Sequence, residues 1–130
     1  KHLNRYNVIH IDMQKFLGRT KNVHEMLDFL QKRVLKEMKQ TFSVIEPEET
    51  SLIIALEDLY GQCEEKFIFI IDEWDSIFRV HRDNATAPKE YLDFLRDLLK
   101  GQPYVALAYM TGILPIKKYG QHSALNMFKE

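Results

Sequence analysis

Residues Phe67 to Ile71 form an unbroken apolar run that stops at Asp72 and Glu73 (FIFIIDE). A run this short and this rich in Ile and Phe predicts a strand, because a helix needs more length and a different period. The lack of polar alternation predicts burial on both faces, as in the middle of a parallel sheet covered by helices. Tyr104 to Met110 (YVALAYM) is a second run of the same kind, ending in Thr111 and Gly112, and is read as another buried strand. Tyr6 to Ile11 (YNVIHI) is a third strand, ending in Asp12.

Between these runs the period becomes helical. Val23, Leu27, Leu30, Val34 and Met38 recur at steps of three or four, which predicts a helix from Asn22 to about Phe42 with Asn22 as N-cap. Lys32, Lys36 and Lys39 share its other face and are read as a solvated surface. Ser43 to Pro47 interrupt. A second helix is expected over Glu48 to Cys63, with Leu52, Leu56, Leu59 and Cys63 as its stripe and Glu48 and Glu49 at its positive end. Cys63 is thereby read as a small buried apolar residue.

Ser76 to Ala85 read as a polar loop. Thr86 to Lys100 read as a helix, with Pro88 in its first turn, Tyr91, Leu95 and Leu98 inward, and Gly101 as its stop. The order strand, helix, helix, strand, helix, strand predicts an α/β fold with a parallel three-stranded sheet and helices on both faces. Functional groups of such sheets collect beyond the carboxyl ends of the strands. Here those groups are Asp12, then Asp72 with Glu73 and Asp75, then Thr111.

Composition excludes several classes. The chain has 130 residues, 45 % hydrophobic and 28 % charged, which suits one ordinary globular domain. A net charge of −1 and no basic stripe leave no clear nucleic-acid signal. The single cysteine makes neither an intrachain disulfide nor a zinc site and fits a reducing, cytoplasmic compartment. No apolar run approaches the ~18 residues of a membrane span. The chain opens KHLNRYN, not Met, and its first strand follows almost at once, so its start is read as cut from something longer.

The acidic strand end has specific chemistry. An apolar mid-sheet strand that delivers Asp-Glu at its end forms the Walker B pattern. The first carboxylate, Asp72, emerges where it can hold the water shell of a magnesium ion beside a nucleotide. The adjacent Glu73 can polarise a water for attack on the terminal phosphate. Asp75 extends the acidic patch. Thr111, ending the next strand, stands where P-loop NTPases of the ASCE type place a polar residue that senses the terminal phosphate.

The segments FIFIIDEWD, EYLDFLRDLLKG, YVALAYMTGILPI and ALNMFKE together resemble the predicted AAA-ATPase-like family of bacterial proteins. The likeness covers most of the chain from about residue 65 onward, and more loosely the first strand and helix. Two departures stand out: Trp74 where the family usually has Tyr, and Pro115 where it often has Arg. Lys117 or Lys118 could supply the positive charge in its place, though a plain surface role is the simpler reading.

The resemblance implies ATP and magnesium as cofactors of an intact parent, with Glu73 catalytic and Asp72 and Thr111 at the nucleotide. It also implies strands 2, 3 and 4 of a core ordered 5-1-4-3-2, so that residues 1–130 form a partial domain with strands ordered 4-3-2. No G-x-x-x-x-G-K-[ST] occurs in the sequence, and only Gly18-Arg19-Thr20 faintly suggests a phosphate loop. In the family that loop belongs to a unit upstream of the first strand. Without its backbone amides and lysine, this chain is expected to bind ATP weakly or not at all. An uncovered edge on the Thr111 strand is expected to favour self-association.

Other candidates are weaker. A nuclease cluster of Asp72, Glu73 and Asp75 lacks an acid-x-Lys on the next strand. His10 and Asp12 share a strand face and could pair on a metal, though a structural role is simpler. Ser123 has no G-x-S-x-G context. Trp74 and Phe78 could form a stacking platform or simply pack. The competing functional class is a non-catalytic interaction module, with an unidentified protein partner, that keeps the NTPase fold without turnover.

Overall fold

The run that begins at Phe67 is the middle strand of a parallel three-stranded sheet. The computed structural model describes residues 6–80 and 86–113. Its elements are β1 (Asn7–Asp12), α1 (Met13–Leu17), α2 (Val23–Thr41), α3 (Leu52–Cys63), β2 (Phe67–Asp72), α4 (Ser76–Val80), α5 (Thr86–Leu99) and β3 (Val105–Met110). The strands lie in the order β1-β2-β3. Asp12 stands opposite Asp72, and Ile71 opposite Met110, so all three strands end level.

Burial alternates along β2: Phe67, Phe69 and Ile71 are fully buried, while Ile68 and Ile70 are half-buried. Ile9 and Ile11 of β1 join the buried side, with Ala108 and Met110 of β3 packed against it. The opposite side presents Val8, Leu107 and Tyr109, which are 57 %, 46 % and 56 % exposed. The expected burial of β2 on both faces is thus corrected, and so is the expected burial of β3. The reason is topological. The chain advances β1 to β2 to β3 in one direction, and right-handed crossovers then bring every connecting helix to the same face. Helices on both faces would need a reversal of strand order.

On the covered face α2 packs against α1, α3 and α5, and α4 against α1 and α5. Asn22 caps α2 through a 2.8 Å bond from the Glu25 amide to its side chain. Tyr91, Leu95 and Leu98 of α5 are fully buried, and Gly101 ends that helix at φ +69°, where only glycine is unstrained.

Other expectations are revised. α3 starts at Leu52, not Glu48, because Ser51 supplies the cap by accepting from the Ile54 amide. Leu52, Leu56 and Leu59 are buried as expected, but Cys63 is exposed at the helix end, where the chain turns into left-handed Glu64. Lys39 is not simply solvated. Its ammonium donates to the carbonyls of Pro47 and Glu49 and ties the connection to α2.

Two one-turn helices were not expected. α1 forms because Asp12 caps it and because Met13 and Leu17, one turn apart, are both buried. α4 replaces the first part of the expected loop from Ser76 to Ala85, because Ile77 and Phe78 turn into the core. The readings that concern Pro115, Lys117, Lys118, Ser123 and the closing LNMFKE lie outside the described residues.

Candidate functional site at the carboxyl end of the sheet

Asp72 is the last residue of the central strand, and both neighbouring strands hold its carboxylate. The Thr111 hydroxyl, one residue past β3, donates to Oδ1 at 2.9 Å. His10 Nε2 lies 2.6 Å from Oδ2, a bond in which the ring nitrogen donates. The Thr111 amide also donates to the Ile71 carbonyl at 3.0 Å and carries the ladder one residue beyond β3. With two donors on it, Asp72 is held below the usual carboxylate range, first by His10 and then by Thr111, against a smaller opposing effect of burial.

Asp12 reaches the same sheet end but looks elsewhere. Its Oδ1 accepts from the Gln14 and Lys15 amides and serves α1 as a cap. Among the described residues no group of three or more His, Cys, Asp and Glu is arranged to hold a metal ion. Asp72, Glu73 and Asp75 therefore form no such cluster, and His10 and Asp12 are engaged separately, His10 by Asp72 and Asp12 by the α1 amides.

Glu73 opens the turn after β2 in the left-handed region, at φ +57°. Its carbonyl accepts from the Ser76 amide at 3.0 Å, and its carboxylate lies 3.1 Å from Arg79 on α4. Asp75 does not extend an acidic patch. It is fully buried, with Oδ1 2.9 Å from Arg79 Nη1 and Oδ2 accepting from the Ile113 amide at 2.9 Å. Arg79 therefore bridges Glu73 and Asp75, and both raise its pKa, Asp75 the more.

The turn is braced from β3 and α5. The Trp74 amide donates to the Thr111 carbonyl at 3.0 Å, and the Tyr91 hydroxyl donates to the Trp74 carbonyl. Gly112 lies so close that a Cβ there would stand 2.5 Å from Asp75 Oδ1 and 2.8 Å from Trp74 Cδ1. Trp74 and Phe78 are buried and meet edge to face at 5.5 Å, so they pack and offer no stacking platform.

Of the expected site residues, Asp72 and Thr111 are in direct contact. Glu73 is adjacent but engaged by Arg79. Two participants were missed. His10 had been weighed only with Asp12, although the strand pairing that sets β1 beside β2 could have suggested Asp72. Arg79 follows Asp75 by four residues, the spacing of a helical ion pair, but the segment had been read as a loop.

No curated protein and no solved structure matches the chain. The family model described as Predicted AAA-ATPase matches residues 1–121, and the chain belongs to that family.

Proposed function

We propose that this domain carries the Walker B and sensor elements of an ATP-binding and ATP-hydrolysing core, with β1, β2 and β3 as strands 2, 3 and 4 of a P-loop NTPase sheet. The observation that carries the reading is the hydrogen bond from Thr111 to Asp72 at the end of the central strand. A carboxylate fixed at a strand end, beside a hydroxyl from the next strand, suits a magnesium–phosphate group. Magnesium takes oxygen donors and commonly keeps its waters, needing only one or two carboxylates beside the phosphates. Bound there, the ion would neutralise charge on the transferring phosphoryl group.

In this reading Asp72 is the residue that would hold a magnesium ion, and its lowered pKa keeps it ionised for that task. Thr111 orients Asp72 and senses the terminal phosphate. Glu73 accepts the proton of the attacking water once its carboxylate is turned from Arg79. A phosphate cradle would have to be supplied to this domain, since the sequence has no G-x-x-x-x-G-K-[ST].

The competing reading, a non-catalytic module, is favoured by the pairing of Glu73 with Arg79. One assay separates the two. In a protein that joins this domain to a phosphate loop, Glu73→Gln should lower ATP turnover about 10²–10⁴-fold with binding retained. Asp72→Ala should remove the magnesium dependence of binding. Turnover unchanged by Glu73→Gln excludes it as the base, and the absence of turnover in the unmodified protein favours the module.

A further inference from the structure

Two carboxylates share Arg79, and their surroundings differ. Asp75 is wholly buried, with Oδ1 2.9 Å from Nη1 and Oδ2 accepting from the Ile113 amide. Glu73 is 41 % exposed, and its Oε1 accepts from Nη2 at 3.1 Å. Nη2 also donates to Ser76 Oγ at 3.3 Å. The two ion pairs are therefore unequal. Parting a buried carboxylate from its cation leaves a charge away from water and is strongly opposed, whereas an exposed pair gains little by staying closed. Asp75 also raises the Arg79 pKa more than Glu73 does.

The backbone of Glu73 is fixed, in contrast to its side chain. It stands in the left-handed region at φ +57°, which a non-glycine residue keeps only where its surroundings impose it. The Ser76 amide donates to the Glu73 carbonyl, and the next residue's amide, that of Trp74, donates to the Thr111 carbonyl. What can leave Arg79 is the Glu73 side chain, turning about its own bonds.

We propose that Arg79 is a positioning residue: anchored by Asp75, it parks the Glu73 carboxylate and so sets how often that group is available as a base. The inference rests on the ATP-hydrolysing reading above and adds a restraint on the base which that reading names. The contact between Glu73 and Arg79 is then a brake on turnover, not a sign that turnover is lost. Because Asp75 also holds the Ile113 amide, two residues past Thr111, the anchor of the brake is tied to the end of β3 as well as to α4.

The test frees Glu73 without leaving Asp75 charged and alone. Asp75→Asn with Arg79→Gln replaces the buried ion pair by two neutral amides that can bond to each other and to the Ile113 amide. Arg79→Lys is the second variant: it keeps a cation for Asp75 but lacks the planar fork that reaches two carboxylates. In the 130-residue chain, carbon relaxation of the Glu73 methylenes should report a restricted side chain, and a freed one in both variants. In the protein that joins this domain to a phosphate loop, both should raise kcat about two- to fivefold, the population shift that an exposed ion pair controls, with KM for ATP unchanged. Adding Glu73→Gln should erase the gain. A role in packing alone would lower turnover together with the urea midpoint, whether or not Glu73 is present.

A mobile Glu73 in the unmodified chain overturns the proposal, and needs no variant to do so. Turnover that falls or stays level once Glu73 is freed overturns it too, and in both cases the ATP-hydrolysing reading stands. If Glu73 is restricted in the unmodified chain but neither the joined protein nor its variants turn over ATP, the ATP-hydrolysing reading has failed and the proposal falls with it.

Discussion

β2 and β3 lie side by side, run parallel and are built from similar residues, yet their environments differ. Phe67, Phe69 and Ile71 of β2 are fully buried, while Leu107 and Tyr109 of β3 are about half exposed. β2 has a strand on each side and helices over one face. β3 has a strand on one side only, and its far face stands open in the described residues. The difference teaches that an apolar run reports a strand's capacity for burial, and neighbours decide how much of it is realised. It also divides the site between a strand with a neighbour on each side and a strand with a described neighbour on one side only. Asp72 rises from β2, whereas Thr111 rises from an edge strand and is held by bonds to Ile71, Trp74 and Asp72.

The contrast is easiest to break with truncations. Phe69→Ala in β2 should cost about 3–5 kcal/mol, because the ring is wholly enclosed and its loss leaves a cavity. Tyr109→Ala in β3 should stay within about 0.5 kcal/mol, as an exposed position away from special contacts does. Urea unfolding of both variants measures the gap, and comparable losses would mean that β3 is covered after all. If self-association does proceed through the β3 edge, as the sequence led us to expect, Tyr109→Lys should reduce it in light scattering at high concentration.

A smaller effect is expected where the two strands are stitched together. Gly112→Ala places a Cβ against Asp75 Oδ1 and Trp74 Cδ1 closer than side-chain atoms tolerate. Overpacking of this sort costs typically about 1–3 kcal/mol. Because Trp74 is involved, tryptophan fluorescence should shift along with the unfolding midpoint. A lowered midpoint with unchanged emission would place the strain elsewhere than at the turn.

Much of this was visible in the residues. The strand character of β2 followed from its unbroken apolar run, and the span of α2 from its apolar stripe and from Asn22, the residue that does cap it. The joint position of Asp72 and Thr111 followed from parallel strands that end level. What was hidden had physical causes. α1 and α4 have five residues each, too few for a period to show. The exposure of β3 depends on what stands next to it, which its own residues do not encode. Cys63 fits the stripe of α3, but it is the last residue of the helix, exposed where the chain turns into left-handed Glu64. Asp75 looked like one more surface acid, because its burial rests on Arg79 and on the Ile113 amide of a distant segment.

The finest probe of the comparison is the proton on Asp72, whose carboxylate joins β2 to the end of β3. Its pKa is lowered below the ordinary 3.8 by His10 and by Thr111. A lowered native pKa means that the bonds add stability above the unfolded value, and that this contribution fades as pH falls through the native value. Thr111→Val removes one donor and leaves the other, so the Asp72 carboxyl should titrate higher in that variant by carbon NMR. His10→Phe should raise it further, since His10 is the larger influence. The order of the two shifts is the decisive reading. If Thr111→Val moves the titration and His10→Phe does not, β3 holds the carboxylate more firmly than its exposure suggests. If neither moves it, the lowered pKa does not come from the neighbouring strands.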